Sequence, residues 1–546
     1  MDNADPSSVE LRSGFCPKTN TFYSLRPPVH LPSEKAPLSA ADHAFFLHSA
    51  TSACLDAAAL IDAATGNRTS YSQFRLRVEA LSVSLRSEVG LSPNDVAFVI
   101  SPNSTRVPIL YFALLSIGVV ISPSNPISTT AEIARQLQIS KPTIAFATSS
   151  TSGKLAAHRL RTILIDSADF ARMMSSGSPA GETSGVRVSQ NDVAAILFSS
   201  GTTGQAKGVE LTHRNFIAVT ANYFYQRQEK SSPSVVLYTV PLFHVFGFNY
   251  LLKSMALGET VVVVMGRFDL GKMLRAVEEH KVTLLVVAPP VVVGMVKSDL
   301  TRKFDLQSLE AVGSGAAPLG LDLIEAFNKK FPKVSLFQGY GMTETNGAVS
   351  RPVGDDEYAR LGSVGKLIGT IEAKIVDLDT GVGLPPGKLG ELWIRGPTVM
   401  KGYVDNHKAN SETLVGDGWL RTGDICHIND EGFLFVIDRV KELIKYKGYQ
   451  VSPAELEHLL LSHPDIMDAA VIPYPDEDAG QVPLAFVVRR PKSNLDEQQI
   501  IDFIGKQVSP YKKLRRVAFI SSIPKSASGK ILRKELRENS LTRSKI

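Results

Sequence analysis

Short apolar runs alternate with segments of helical period along most of this chain. Val193-Ala194-Ala195-Ile196-Leu197-Phe198 carries no charge and runs straight into a polar stretch, the pattern of a buried strand that delivers a loop to a site. Thr162 to Ile165, Val235 to Val240, Thr260 to Met265 and Thr283 to Ala288 read as further strands, and Gly271 to Glu279 and Gly320 to Lys330 as helices. This alternation predicts βαβ units, hence an α/β fold with mainly parallel sheets. Val107 to Ala131 lacks charge, but Pro108, Gly118, Pro123 and Pro126 interrupt it, so it predicts a buried helix followed by a strand and a turn, not a membrane span. Near the carboxyl end, Ser452-Pro453-Ala454-Glu455 predicts a capping box with proline in the first helical position, and Leu456, Leu459 and Leu460 follow at helical spacing. Ala469 to Ile472 and Leu484 to Val488 read as strands and Asp496 to Val508 as a second helix, so this tail predicts a small α+β domain of about a hundred residues.

Composition narrows the function classes. The 546 residues, 44% hydrophobic and 21% charged, suit a globular protein of several structural units. A net charge of +5 spread over this length, with no basic block interleaved with aromatics, argues against a nucleic-acid partner. Cys16, Cys54 and Cys426 lie far apart, which indicates neither a disulfide framework nor a zinc site and suits a reducing compartment. The polar, acidic amino end has no apolar stretch of secretory type. Ser544-Lys545-Ile546 differs from the peroxisomal tripeptide S-K-L in one aliphatic residue, so a peroxisomal location and its import receptor are expectations, with the cytoplasm as the alternative.

Two segments carry the chemistry. Ser199-Ser200-Gly201-Thr202-Thr203-Gly204-Gln205-Ala206-Lys207-Gly208 combines hydroxyls, glycines and a lysine, which suits a loop whose N–H groups, hydroxyls and ammonium converge on phosphate oxygens. Its spacing differs from a P-loop, because Lys207 precedes glycine and not Ser or Thr. A solvated linker of this composition would not need the apolar run that anchors it. The second segment, KSASGKILRK, presents Lys530 on a Ser-Gly turn.

SSGTTGQAKGVELTH from Ser199, PLFHVFG from Pro241, GSGAAPL from Gly313, QGYGMTET from Gln338, GWLRTGD from Gly418, DRVKELIKYKGYQVSPAELE from Asp438 and PKSASGKILR from Pro524 occur together and in order. Through them the chain resembles the adenylate-forming superfamily, most of all plant 4-coumarate–CoA ligase-like enzymes of the peroxisomal group. The resemblance implies an amino-terminal adenylation domain, 1–440, and a mobile α+β lid, 441–546, hinged at Lys441. It implies ATP with Mg²⁺, coenzyme A as co-substrate, and a carboxylic acid activated first as its adenylate and then as its thioester.

The same resemblance assigns residues. Ser199, Ser200, Gly201, Thr202, Thr203 and Lys207 resemble the β/γ-phosphate loop. Ala317, Gln338, Gly339, Tyr340, Gly341 and Thr343 resemble the adenine and α-phosphate wall, Glu344 the Mg²⁺ ligand, and Asp424 with Arg439 the ribose site. Lys530 resembles the lysine that meets the attacking carboxylate and the α-phosphate, and His244 an orienting residue beside the carboxylate. Lys445 and Gln450 resemble adenylate contacts of the alternative lid pose; Arg267, Lys447 and Gly448 resemble the coenzyme A path.

Phe246, Gly313, Ala316, Gly341, Gly347, Ala348 and Val349 resemble the acyl pocket. Here the chain departs from hydroxycinnamate ligases: Phe246 replaces a tyrosine, Gly313 a methionine, and Gly347-Ala348-Val349 a Pro-Val-Leu. Each change removes volume or a polar handle, which predicts a medium- or long-chain, largely apolar acid such as a fatty acid or jasmonate precursor. A hydroxycinnamate ligase and a luciferase-type oxygenase on the same fold are the alternatives. A peptide-synthetase module would need an acidic partner near Phe246 to Tyr250, and an AMP sensor would be expected to have lost Lys530 or Glu344.

Overall fold

The computed structural model describes residues 8–51, 53–175, 186–200, 206–228, 230, 232–264, 266, 268–447, 449–491, 493–526 and 529–543, the side chains of Ser200 and 539–543 excepted. Two seven-stranded sheets are mainly parallel, as the alternating pattern predicts. One contains Val96–Ile100, Val120–Ser124, Ile144–Ala147, Thr162–Leu164 and Val193–Ser200 in parallel, and ends in the antiparallel strands Ala206–Thr212 and Gly402–Tyr403. The other aligns Ala58–Asp62, Thr260–Val263, Val235–Tyr238, Leu284–Val287, Ala311–Ser314 and Ser335–Gln338 in parallel. One apolar cluster joins both sheets through the helices Ala40–Ser49, Arg106–Ser116, His213–Tyr225 and Val245–Leu257, where Phe248 stacks on Tyr111 at 4.8 Å and tilts against Phe216 at 5.0 Å.

A third seven-stranded sheet is antiparallel throughout, which the alternating pattern did not predict. Its strands come from both ends of the chain before residue 440, Thr21–Tyr23 pairing with Glu372–Val376, so no local period announces that pairing. The last long strand, Leu434–Arg439, pairs with Trp419–Ile428. A separate five-stranded sheet then starts at Ile444–Tyr446 and has its own apolar clusters around Leu456, Val471, Ile500 and Phe486.

The helix Pro453–Ser462 begins as predicted, with Ser452 accepting from the Glu455 N–H, but the reciprocal half of the capping box does not form. Glu455 instead pairs with Lys512 at 2.7 Å, and the Ser452 hydroxyl donates to Asp438. Lys512, brought in by the tertiary fold, gives the carboxylate a charged partner in place of the Ser452 backbone N–H. The box forms in full one helix later, at Asp496 and Gln499. Among the described residues no helix is long and apolar enough to cross a membrane.

Arg533 ties this carboxyl-terminal unit together. Its guanidinium, 11% exposed, bonds both Glu457 oxygens at 2.6 and 2.8 Å, Glu442 at 2.8 Å and the Val471 carbonyl at 3.2 Å. Removing one member of a buried ionic network leaves the others desolvated without compensation. Arg533→Met is therefore expected to destabilise the protein by about 3–5 kcal/mol, measured by thermal or denaturant unfolding; a change within about 0.5 kcal/mol, the scale of an ordinary surface substitution, would contradict the assignment.

Candidate active site

A cavity of about 1040 Å³ lies beyond the carboxyl ends of the second parallel sheet, where open α/β folds place ligands. Gly313 and Ser314 close one strand there, Gly339 and Tyr340 follow the next, and His244 follows Val235–Tyr238. Across the cavity stand Ser199 and Lys207 from the first sheet, Thr422, Gly423 and Arg439 from the antiparallel sheet, and Ser526 and Lys530 from the carboxyl-terminal unit. Ala316 lines the loop at φ +73°, a conformation costly for a residue with a Cβ and one that recurs at ligand sites.

Tyr340, Asp424 and Arg439 form one contact. The Tyr340 hydroxyl donates to Asp424 Oδ2 at 2.5 Å, and Arg439 Nε lies 3.1 Å from Oδ1. Burial pushes the Asp424 carboxyl up from its usual range, while Arg439 and Tyr340 oppose that. Nearby, Tyr403 donates to Glu344 Oε1 at 2.9 Å, and the Lys207 ammonium sits 4.5 Å from the Tyr403 ring centre. Ser199 faces Lys207 across the hairpin, and the hydroxyls of Ser199 and Ser314 are buried without a hydrogen-bond partner.

His244 caps the helix Val245–Leu257, its Nδ1 accepting from the Phe246 N–H at 3.3 Å. An accepting Nδ1 leaves the proton of the neutral ring on Nε2. Burial and the Lys530 charge lower the imidazole to about 4, so the ring is neutral near pH 7. Gly247 lets this helix start so close to the preceding turn: a Cβ there would lie 2.2 Å from the Pro241 carbonyl oxygen.

Lys530 ends a tight turn in which Gly529 N–H donates to the Ser526 carbonyl at 2.9 Å. Gly529, at φ +84°, abuts Ala288 and Pro290, and a Cβ would meet the Ala288 methyl at 3.0 Å. Burial, reinforced by Arg439, lowers the ammonium to about 8.

Other predicted residues lie elsewhere. Ala317 and Gln338 do not line the cavity: the buried Gln338 turns inward, its side-chain oxygen accepting from the Leu319 N–H at 2.7 Å, and so supports the loop from behind. Ala348 and Val349 belong to the core of the antiparallel sheet, since Gly347 at φ +76° turns the chain away from the cavity. Gly339, Gly341, Thr343, Gly347, Phe246 and Lys441 do line it. Lys445 and Gln450 pair across an exposed hairpin whose turn holds Lys447, outside the cavity lining. Gly201, Thr202, Thr203, Arg267, Gly448, Ser528 and Ser544-Lys545-Ile546 lie outside the described residues, as does the Ser200 side chain.

The enlarged wall expected from Gly313 is a further correction. Phe337 from the neighbouring strand covers it, with its ring 2.8 Å from where a Cβ would stand, stacked on Tyr358 at 4.9 Å. Nor is the lining purely apolar. Lys253 and Glu259 pair at 2.5 Å with only 8% and 7% exposure, and Arg351, Tyr223 and Tyr250 also face the cavity. They had a signal: Lys253 and Glu259 are the only charges in 245–264, and Arg351 the only one in 345–353.

The class is defined by the match to known families, and the cavity is of a kind that suits it. The family model of AMP-binding enzymes matches residues 46–404, and that of their C-terminal domain 455–530. The chain belongs to this family and is an AMP-forming acid–thiol ligase, with coenzyme A as co-substrate. It is 51% identical to 4-coumarate–CoA ligase-like 9 of Arabidopsis thaliana, over 97% of each chain, and 42% identical to peroxisomal OPC-8:0-CoA ligase 1 of that plant, over 99% and 100%. The ATP-bound structure of MatB from Rhodopseudomonas palustris is 26% identical with a TM-score of 0.81, covering 92% of this chain and 99% of that one.

The Gly313–Phe337 contact makes a specific expectation. Gly313→Ala overpacks the wall and should cost about 1–3 kcal/mol, whereas in a Phe337→Ala background it should cost less, with a coupling of about 0.5–3 kcal/mol in a denaturant double-mutant cycle. Additive effects would mean that the ring does not occupy the space beside Gly313.

Proposed function

We propose that this chain converts a medium- or long-chain carboxylic acid, ATP and coenzyme A into the acyl-CoA thioester, AMP and diphosphate, with the residues of the cavity in the following roles. The observation that carries the proposal is that Lys530 shares one cavity with Glu344, the Ser199–Lys207 hairpin, and Tyr340 and Arg439, which hold the buried Asp424 just behind its wall. Carboxylate and triphosphate are both anions, so their approach is opposed until a cation stands between them. Lys530 stabilises the charge that builds as a carboxylate oxygen attacks the α-phosphorus and diphosphate departs. Ser199 and Lys207 hold the departing phosphates, with Gly201, Thr202 and Thr203 as the expected remainder of the cradle.

Asp424 accepts from the ribose hydroxyls while Arg439 balances its charge, and Tyr340 stacks on the base. Neutral His244 donates from Nε2 to orient the acid, and a substrate carboxylate, already ionised, needs no base. Glu344 suits Mg²⁺, because that ion takes one or two protein carboxylates and fills its remaining positions from phosphate and water. The ion supplies neutralisation of phosphate charge. In the second half-reaction the coenzyme A thiolate attacks the acyl carbon and AMP leaves. For that step 441–546 rotates about Lys441, so that Lys445 and Gln450 meet the adenylate while Arg267, Lys447 and Gly448 line the thiol's path.

Medium or long acids are favoured because one cavity of about 1040 Å³ is lined by Phe246 and Gly313 and also by Lys253 and Glu259, and because one relative is named for an OPC-8:0 substrate. The names of other relatives keep a hydroxycinnamic acid as the second reading. A diphosphate-release screen over fatty, oxylipin and hydroxycinnamic acids separates the two.

Lys530→Ala is expected to slow adenylation by about 10²–10³-fold while sparing thioester formation from supplied acyl-adenylate; equal damage to both steps would remove the role. Because Lys530 titrates near 8, its charge is present below that pH and lost above it. Adenylation should therefore fall as pH rises through about 8, and Lys530→Arg should abolish that limb without necessarily restoring the rate.

A peroxisomal location is part of the proposal on the strength of the peroxisomal relative. A fluorescent reporter placed ahead of residues 537–546 should enter peroxisomes if Ser544-Lys545-Ile546 engages the import receptor, and a diffuse signal would count against it.

A further inference from the structure

Arg351 is a half-buried cation with no acid partner among the described residues. It ends the short strand Ser350–Arg351, which comes after the Gly347 turn, and it lines the cavity. Its guanidinium lies 4.7 Å from the Tyr223 ring centre, and Nη2 donates to the carbonyls of Gln226 at 3.0 Å and Asn222 at 3.5 Å. Nε is buried without a partner. Among the described residues no carboxylate lies within 4 Å of it, and the nearby Glu357 is already engaged by Arg26 through bonds of 2.7 and 2.5 Å. Burial and the Arg26 charge both act against the charged form, lowering its pKa. A desolvated guanidinium with spare donors is costly unless an acceptor reaches it.

The way to Arg351 runs along the acyl wall. Phe246 stands at the His244 end and meets Tyr250 edge to face at 5.0 Å; Tyr250 meets Tyr223 at 5.6 Å, and Tyr223 carries Arg351. An acid whose carboxylate sits near His244 and whose chain follows these rings ends at the guanidinium. The two backbone bonds alone would make Arg351 a clamp on the end of helix His213–Tyr225. A clamp explains neither the unpartnered Nε nor the opening onto the cavity.

We propose that Arg351 is a specificity-determining residue that receives a hydrogen-bond-accepting oxygen at the end of the acid remote from its carboxylate, so that the preferred substrate is an apolar chain with an oxygenated far end. This rests on the medium- or long-acid reading above, and it adds a residue-level polar requirement to the largely apolar acid predicted from Phe246 and Gly313. The acceptor is a neutral carbonyl or a second carboxylate, both of which a guanidinium fork accommodates.

The test compares kcat/KM for adenylation of a saturated straight-chain acid with two analogues of the same length, one carrying a ketone near the far end and one a second carboxylate. The wild-type enzyme is expected to favour at least one oxygenated analogue by about 10- to 100-fold over the saturated acid, because the saturated chain leaves the guanidinium without an acceptor. A preference for both analogues identifies hydrogen bonding as the common requirement, and a preference for the dicarboxylate alone identifies charge pairing. In Arg351→Met the ratio should collapse toward one, while Arg351→Lys should keep part of it. A wild-type ratio at or below one overturns the proposal whether or not any variant folds, as does a ratio that survives in folded Arg351→Met. If only short aromatic acids are adenylated, the chain-length reading falls and the proposal with it; if saturated long acids react but no oxygenated analogue is favoured, only the role of Arg351 falls.

Discussion

Asp424 is a carboxylate buried where three parts of the molecule meet, and the arrangement of the cavity depends on its compensation. Tyr340 reaches it from the end of the second parallel sheet, Arg439 from the last strand before the carboxyl-terminal unit, and the field of Lys530 from within that unit. Burial alone would favour the neutral acid; Arg439 and the Tyr340 hydroxyl favour the anion. Elements distant in sequence are therefore held to one geometry by a charge that none could bury alone.

The seam on the other side of Arg439 uses the same physics. Asp438, also buried, accepts from the Ser452 hydroxyl and from the Ala454 N–H at 3.1 Å, so adjacent residues of one strand face opposite ways, Arg439 into the cavity and Asp438 into the start of the next helix. Arg533 then fixes that helix through Glu457 and the 440–443 connection through Glu442. Lys530, a few residues before Arg533, is thus attached to a rigid unit and not to a free tail. Its turn touches the rest of the protein through Gly529, where the absence of a side chain permits the approach to Ala288.

Polar groups at the far end of the cavity alter what the site selects. Lys253 and Glu259 satisfy each other and are joined by the Ser254 hydroxyl, which lies 2.5 Å from Glu259 Oε2, so they form a closed network. Arg351 has no such closure. A satisfied buried pair supports the wall, whereas a half-buried cation whose buried Nε lacks an acceptor has a donor to offer a ligand.

Hydrophobic period and turn chemistry in the sequence already determined several strands of the parallel sheets, among them Val193–Ser200, Val235–Tyr238 and Thr260–Val263, and the helix starts at Ser452 and Asp496, because each depends on neighbours within one element. Motif order determined the family, since all of those segments must converge for the chemistry to occur. Only the tertiary structure decided which side chains face the cavity. Gln338 sits in a motif segment, and Ala348 and Val349 just after one, yet all three point into the protein, while Tyr403, Phe337 and Arg351 face the cavity from outside the motifs or at their edges. The space beside Gly313 belongs to Phe337 on the adjacent strand, in a register that sequence separation hides. The antiparallel sheet was illegible in part for the same reason: Thr21–Tyr23 meets Glu372–Val376 across hundreds of residues, and a pairing of that range is set by packing of whole layers, not by any local pattern.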